Sequence, residues 1–272
     1  TAYEISTRDW SSDVCSSDLN VLGVDFTGGD LVTLKFSEKV DDGRVRSALG
    51  NLAETAQYQR SPVGGEEVLS LRTGFGKGEA AVQKLQADFP QAGFQQLQLD
   101  KVAGVVGAEL KQKALIALIL GVVAIFFYTT WRFETSFALG AIVALVHDVF
   151  ISLGVFVLLG REMSLPMVGA ILAVAGYSIN DTIVIFDRIR ETFRGGLHGN
   201  RENAMNMAIN QTLSRTLLTS GTTFLAVLVL FLFGGRVIND FALILLIGII
   251  VGTYSSIFIA SPIALLAGGR KK

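Results

Sequence analysis

Two acidic residues stand where acids are rare. Asp148, preceded by His147, falls near the middle of one long apolar run, and Asp181, preceded by Asn180, falls inside the next. An Asp at the centre of a membrane helix costs about 2.5 to 3.5 kcal/mol on insertion scales, so a carboxylate kept there is expected to hold, pass or release a charge. Arg215 opens a further apolar run, and Thr219, Thr222 and Thr223 continue what reads as its inward face, a polar lane from one end of the helix. Two carboxylates, a histidine and an arginine in hydrocarbon fit a proton or ion relay, since each can change charge or supply a counter-charge as a helix pair shifts. The plainer alternative is a salt bridge or a protonated acid that only pins helices together. Two intramembrane aspartates sharing a proton would also describe an aspartyl protease. Against that enzyme, Asp181 follows Ser178-Ile179-Asn180 rather than a glycine, and no Pro-Ala-Leu segment comes after it.

The elements that must carry these groups are legible in the charge density. The chain has 272 residues, 50% of them hydrophobic and 17% charged, with mean hydropathy +0.50; an ordinary soluble domain carries roughly 25% charged residues. From residue 20 to Lys113 acids and bases are mixed, and from Ala114 onward they thin out. Five stretches there are long enough to cross a bilayer, which takes about 20 residues: 114–131, 136–159, 165–186, 216–233 and 241–267. Tyr128 and Trp131 sit where an interfacial belt would place them, and Pro166 suits a first helical turn. Gly140, Ala144, Asp148 and Ser152 share one fourth-residue row. Gly169, Ala173, Gly176 and Asn180 form a small-residue stripe beside Asp181, and Gly248, Gly252, Ser256 and Ala260 form another; such rows suit close helix contact.

Orientation is expected from basic residues. Arg132, Arg188, Arg190, Arg194, Arg201, Arg215, Arg270, Lys271 and Lys272 would lie on one side and Arg161 and Arg236 on the other, nine against two. The segment 188–215 and the C-terminus are therefore expected in the cytoplasm and the N-terminal domain outside. A net charge of -1 with no basic stripe gives no reason to expect nucleic acid. The single Cys15 allows neither an internal disulfide nor a cysteine-based metal cluster.

Residues 20–112 read as a small α+β domain. Val32, Leu34 and Phe36 alternate as a strand, a helix follows over Val40–Leu52, a strand over Tyr58–Val63 turns through Gly64 and Gly65 into Val68–Arg72, a helix carries Val82, Leu85 and Phe89, and a last strand covers Phe94–Leu99. That order, βαββαβ, is the ferredoxin-like pattern. The glycine-rich run Arg72–Gly78, RTGFGKG, lacks a Ser or Thr after Lys77 and reads as a turn rather than a phosphate loop. In Gly23–Asp30, GVDFTGGD, Gly28 and Gly29 are expected to turn the chain into a strand, with Asp25 and Thr27 bonding nearby backbone. Thr1–Leu19 has neither apolar run nor periodicity, and its DWSSDVCSSDL segment matches the in-frame translation of a sequencing adapter, so it is expected to be non-native. It carries Glu4, Asp9, Asp13 and Asp18 against Arg8, a net of -3, which leaves +2 for the rest of a chain of -1.

Several long motifs in order carry a resemblance. Gly176–Glu191 (GYSINDTIVIFDRIRE), Gln211–Phe224 (QTLSRTLLTSGTTF), Gly248–Pro262 (GIIVGTYSSIFIASP), Gly23–Gly29 (GVDFTGG) and Val106–Lys113 (VGAELKQK) resemble the SecD/SecF family of protein-translocation subunits, within the resistance-nodulation-division superfamily. The resemblance implies a six-helix half with an external domain, paired with a SecD half in the bacterial inner membrane. It implies use of the proton motive force to promote export through the SecYEG channel, with YajC and YidC as further partners and a secreted polypeptide in transit. No cofactor, metal or catalysed reaction is implied. It places Asp181 on the proton path, Arg215 as its counter-charge on the partner helix, and Asp148 at a motif position with His147 beside it. The motif residues Asp25, Phe26, Thr27, Gly28 and Gly29 would follow a further membrane helix. Another exporter of the same superfamily, moving a small molecule or lipid, is the nearest alternative.

Overall fold

The computed structural model describes residues 22–60, 67–195, 201–234 and 236–268. The adapter-like segment, Cys15, the Gly64-Gly65 turn and the C-terminal Arg270, Lys271 and Lys272 lie outside these. A four-residue helix, α1 (Val24–Thr27), leads into β1 (Gly29–Lys35). Then come α2 (Asp42–Leu49), β2 (Ala53–Arg60), β3 (Glu67–Thr73), α3 (Gly78–Asp88) and β4 (Gln95–Val102). The sheet is antiparallel in the order β2-β3-β1-β4. Alternation along β1 and β3 puts Val32, Leu34, Leu69 and Leu71 on one face, where Val45 and Leu49 of α2 and Val82 and Leu85 of α3 close the core. This is the expected two-layer domain.

Its boundaries moved for local reasons. The first core helix begins at Asp42 rather than Val40 because Asp41 caps it, its Oδ2 accepting from the N–H of Gly43 and Arg44 at 3.0 and 3.4 Å. Gly50, with φ +50°, ends that helix, so β2 starts at Ala53, five residues before the expected Tyr58. The RTGFGKG run is a turn. The Gly76 and Gly78 N–H groups donate to Asp30 Oδ1 and Oδ2 at 3.1 and 2.9 Å, so the chain's own carboxylate fills the place an anion would take.

β4 passes through Ala103 directly into α4 (Gly104–Arg132), the first of five long apolar helices among the described residues. The others are α5 (Thr135–Leu158), α6 (Leu165–Arg194), α7 (Arg201–Phe233) and a last span formed by α8 (Arg236–Ser255), a π-helical turn over Ser256–Ala260 and α9 (Ser261–Gly268). Helical structure overruns the expected 188–215 loop from both sides. Polar pairs suited to a helix surface support the overrun: Arg188 bonds Glu191 at 2.6 Å within α6 and Gln211 of α7 at 2.7 Å. The π turn has a covalent cause in Pro262, which removes one intrahelical donor. Ser261 Oγ donates to Ser256 O at 3.0 Å beside it.

Two apolar layers stack in the bundle. One, around Phe133, Phe137 and Phe186 with Ala141, Ala144, Ile185 and Ala260, lies toward the end carrying Arg132. The other, around Phe156, Met167, Ile171, Val174 and Ile244, lies toward the sheet domain. Glycines let helices close between them. A Cβ on Gly140 would lie 2.4 Å from Ala260 O, a backbone atom that cannot step aside, whereas one on Gly154 of the same helix meets nothing within 4 Å. Gly140→Val is therefore expected to destabilise the bundle by about 1 to 3 kcal/mol, with Gly154→Ala near neutral. Thermal unfolding in detergent reads the difference, and equal melting of the two variants would refute the packing argument.

Candidate functional site

Between the two apolar layers lies a polar belt. Asp148 of α5 is 0% exposed and Asp181 of α6 is 2% exposed. Buried charge is tolerable only where hydrogen bonds replace water, and hydroxyls do so here. Ser178 of α6 and Ser255 of α8 both donate to Asp148 Oδ2, the second at 2.7 Å. His147 Nδ1 lies 3.0 Å from Asp148 Oδ1, which makes it a third donor when that nitrogen carries the proton. Asp181 Oδ2 accepts from Ser220 Oγ of α7 at 3.1 Å, and Ser220 Oγ in turn accepts from Thr253 Oγ1 of α8 at 2.9 Å. Thr182 completes the belt, donating to Ser178 O at 3.0 Å with its hydroxyl 2.9 Å from Ser256 Oγ.

The convergence depends on small residues in the last span. A Cβ on Gly252 would stand 3.1 Å from Ser178 Cβ, and one on Gly248 would stand 2.2 Å from Val174 Cγ2. Glycine at both positions brings α8 against α6 closely enough for hydroxyls of both helices to reach Asp148. Ser256 opens the π turn at this level, where backbone geometry departs from the regular ladder. Ser152 Oγ, one turn beyond Asp148, and Thr216 Oγ1, one turn before Ser220, are also buried, with no hydrogen-bond partner among the described residues. They extend the belt toward either end.

The structure places the other predicted residues as follows. Arg215 is exposed on α7, and no ion pair between it and Asp181 forms among the described residues. Thr219 and Thr222 are exposed too. The hydroxyls of Thr219, Thr222 and Thr223 donate to carbonyls of their own helix, so the inward face of α7 is instead Thr216 and Ser220, one residue round. The stripe Gly169, Ala173, Gly176 and Asn180 is exposed, and no atom comes within 4 Å of a Cβ built on Gly176. Among the described residues only Phe241, 4.0 Å from a Cβ built on Gly169, approaches the stripe's glycines. Nothing in the sequence singles out Ser178, Ser220, Thr253 and Ser255, because Ser and Thr in a helix can always bond their own turn.

At the other end the sheet domain sits on the bundle. Leu22 bridges Met163 in parallel, Gly23 N–H donates to Met163 O at 2.8 Å, and Leu165 N–H donates to Asp25 Oδ2 at 2.8 Å. Thr27 does bond locally, to Gly23 O at 3.1 Å, but the reach of Asp25 across 140 residues overturns its expected local role. Phe26 is buried, and Gly28, with φ +78°, lets the chain pass Gly104 at the start of α4, where a Cβ would lie 2.6 Å from Gly104 Cα. A cavity of about 540 Å³ opens beside this junction, lined by Asp25, Lys101, Arg161, Glu162 and Asp240 among others. Arg161 bonds Asp240 at 2.8 Å. The hydrogen bond from Lys101 to Glu79 holds the Lys101 ammonium above its usual range.

Known proteins resemble this chain in sequence and fold. The family whose model matches residues 81–270 is described as protein export membrane protein SecD/SecF, C-terminal. A protein translocase subunit SecF of Calditerrivibrio nitroreducens is 43% identical over 260 residues, covering 92% of this chain and 85% of that one. That of Helicobacter pylori strain J99 is 42% identical over 252 residues, covering 91% and 78%. Among solved structures, the SecDF of Thermus thermophilus superposes with a TM-score of 0.81 at 36% identity, and a SecDF in a super-membrane-facing form with 0.66 at 35%. Each of those alignments covers 92% of this chain but only 35% of the SecDF chain, so this chain spans about a third of their length.

Proposed function

Because this chain belongs to the SecD/SecF family of protein-export membrane proteins, we propose that it works as the SecF-type half of an accessory that couples the proton motive force to export through SecYEG. The observation that carries the reading is the pair of buried carboxylates, Asp148 and Asp181, held by hydroxyls from α6, α7 and α8 inside an apolar bundle. Groups of that kind mark ion pathways in membrane proteins. Moving one charge across the full field is worth about 2.3 kcal/mol per 100 mV, so a few protons suffice to drive a domain motion.

The two acids have different duties in this proposal. Asp148, with two serine hydroxyls and a histidine around it, is an acceptor fixed in place. Asp181, hydrogen-bonded to Ser220 with Thr253 behind it, is the group that loads and releases the proton. Arg215 precedes Ser220 by five residues on α7. A rotation of that helix would carry its guanidinium toward Asp181, so the counter-charge role belongs to another stage of the cycle. Arg215→Lys keeps the charge and loses the planar fork, and is expected to retain partial export activity; wild-type proton flux in Arg215→Ala would remove Arg215 from the path.

The exposed α6 stripe fits close approach of a SecD helix. The chain lies in the bacterial inner membrane with its sheet domain outside and the Arg188–Arg215 end in the cytoplasm, and YajC and YidC are further partners. An aspartyl protease is disfavoured because each carboxylate binds its own hydroxyls, with no hydrogen bond joining the two among the described residues. Full-length protein expressed in a strain depleted of SecF should restore export and copurify with SecD and SecYEG. Failure to bind SecD, or restored efflux of a small molecule without restored export, would defeat this reading in favour of another exporter of the superfamily.

A further inference from the structure

α6 carries Asp181 sixteen residues from its start at Leu165, a span of about 24 Å at 1.5 Å per residue. The first N–H groups of a helix have no partner within it. In α6 the second helical residue is Pro166, which has none to offer, Met167 N–H is taken by the N-cap residue Ser164, and Ser164 N–H donates to Met167 Sδ at 3.3 Å. That leaves Leu165 N–H, and its acceptor is Asp25 of the sheet domain. The carboxylate also sits where a helix N-terminus favours negative charge.

The segment around Asp25 is gripped on its other side. Arg72 of β3 donates through Nη1 to Leu22 O at 3.0 Å and through Nη2 to Thr27 Oγ1, and its Nε lies 3.4 Å from Glu54. Gly23 lies so close to Met163 O that a Cβ there would stand 2.7 Å from it. The Asp-Phe-Thr-Gly-Gly motif is therefore bound to the sheet by Arg72 and to α6 by Asp25.

We propose that Asp25 is a positioning residue that caps α6 from the external domain, so that a shift of α6 set off at Asp181 moves the sheet domain. This rests on the proton-driven reading above. The step is mechanical: an axial or rotational displacement of α6 carries Leu165 N–H, which draws Asp25, Thr27 and through Arg72 the strand β3.

The test uses the full-length chain with its SecD partner in proteoliposomes, scoring proton uptake and stimulation of SecYEG-dependent export separately. Asp25→Ala is expected to cut export about fivefold, the effect on an equilibrium of losing a helix cap of ordinary size, while proton uptake stays within about twofold of the parent. Asp25→Asn keeps an acceptor oxygen and should retain half or more of the export. Leu165→Pro removes the donor together with an exposed leucyl side chain, at a helix position that tolerates proline, and should reproduce Asp25→Ala; the double variant should be no worse than either single one. A disulfide between Leu22→Cys and Met163→Cys should form as readily in Asp25→Asn as in the parent and less readily in Asp25→Ala. Wild-type export in Asp25→Ala, a parallel fall of uptake and export, or additive losses in the double variant would each overturn the coupling role. The proton-driven reading fails separately, if Asp181→Asn takes up protons and exports normally; the Asp25 variants are compared only by their ratio of export to uptake with Asp181 intact.

Discussion

Asp181→Asn is expected to reduce export under a proton gradient to the level seen without one, while the bundle melts within about 1 kcal/mol of the parent and still copurifies with SecD. The size of the functional effect follows from the site. Asn has nearly the same shape as Asp, and its amide oxygen can still accept from Ser220 Oγ, whose bond to Asp181 Oδ2 is 3.1 Å long. What it cannot do is gain and lose a proton at any ordinary pH. A neutral side chain in the bundle also escapes the cost of a buried carboxylate, so stability has no reason to fall far. Export measured with and without the gradient, beside proton uptake, checks the expectation. Gradient-stimulated export persisting in Asp181→Asn would remove Asp181 from the mechanism. Ser220→Ala is expected to act in the same direction and more weakly, since it deletes a donor to the carboxylate and leaves the proton carrier in place.

Asp148 and Asp181 were legible from sequence because hydrocarbon makes an acid expensive wherever it stands, whatever its neighbours. The five spans were legible for a related reason: the apolar length needed to cross a bilayer does not depend on tertiary contacts. Azimuth is a different matter. α7 is apolar all round only from Phe224 onward, and the Thr219–Thr223 turn before it carries hydroxyls on several faces, so its pattern does not say which face turns inward. Thr219, Thr222 and Thr223 looked as suitable as Thr216 and Ser220, and packing against α6 and α8 decided between them. The two small-residue rows make the same point. Gly248 and Gly252 meet Val174 and Ser178 of this chain, whereas Gly169, Ala173, Gly176 and Asn180 face outward, although both rows have nearly the same spacing. Spacing reveals that a close neighbour fits, without revealing whose helix it is. The contact of Asp25 with Leu165 had no local signal, because an Asp beside turn glycines has nearby backbone to bond and nothing in its own segment points 140 residues ahead.

Asp148→Ala is expected to have the largest effect on stability, about 3 to 5 kcal/mol, the usual cost of removing one partner from a buried charged network. Asp148 is fully buried, and its loss strands the hydroxyls of Ser178 and Ser255 and the ring of His147 together. Part of the loss can be recovered locally: Ser255 Oγ is already 3.1 Å from Gly252 O and can turn fully to that carbonyl, which favours the lower end of the range. Asp148→Asn should behave differently. Its amide oxygen can receive both serine hydroxyls, and its amide nitrogen then faces His147 Nδ1, which must become the acceptor by moving its proton to Nε2. That exchange of tautomer costs little beside a stranded donor, so Asp148→Asn is expected to melt within about 1.5 kcal/mol of the parent and to keep gradient-driven export. The contrast with Asp181→Asn separates the two acids, one needed as a fixed acceptor and the other as a proton carrier. Should Asp148→Asn abolish gradient-driven export at unchanged stability, Asp148 would join the proton path and its description as a fixed acceptor would be wrong.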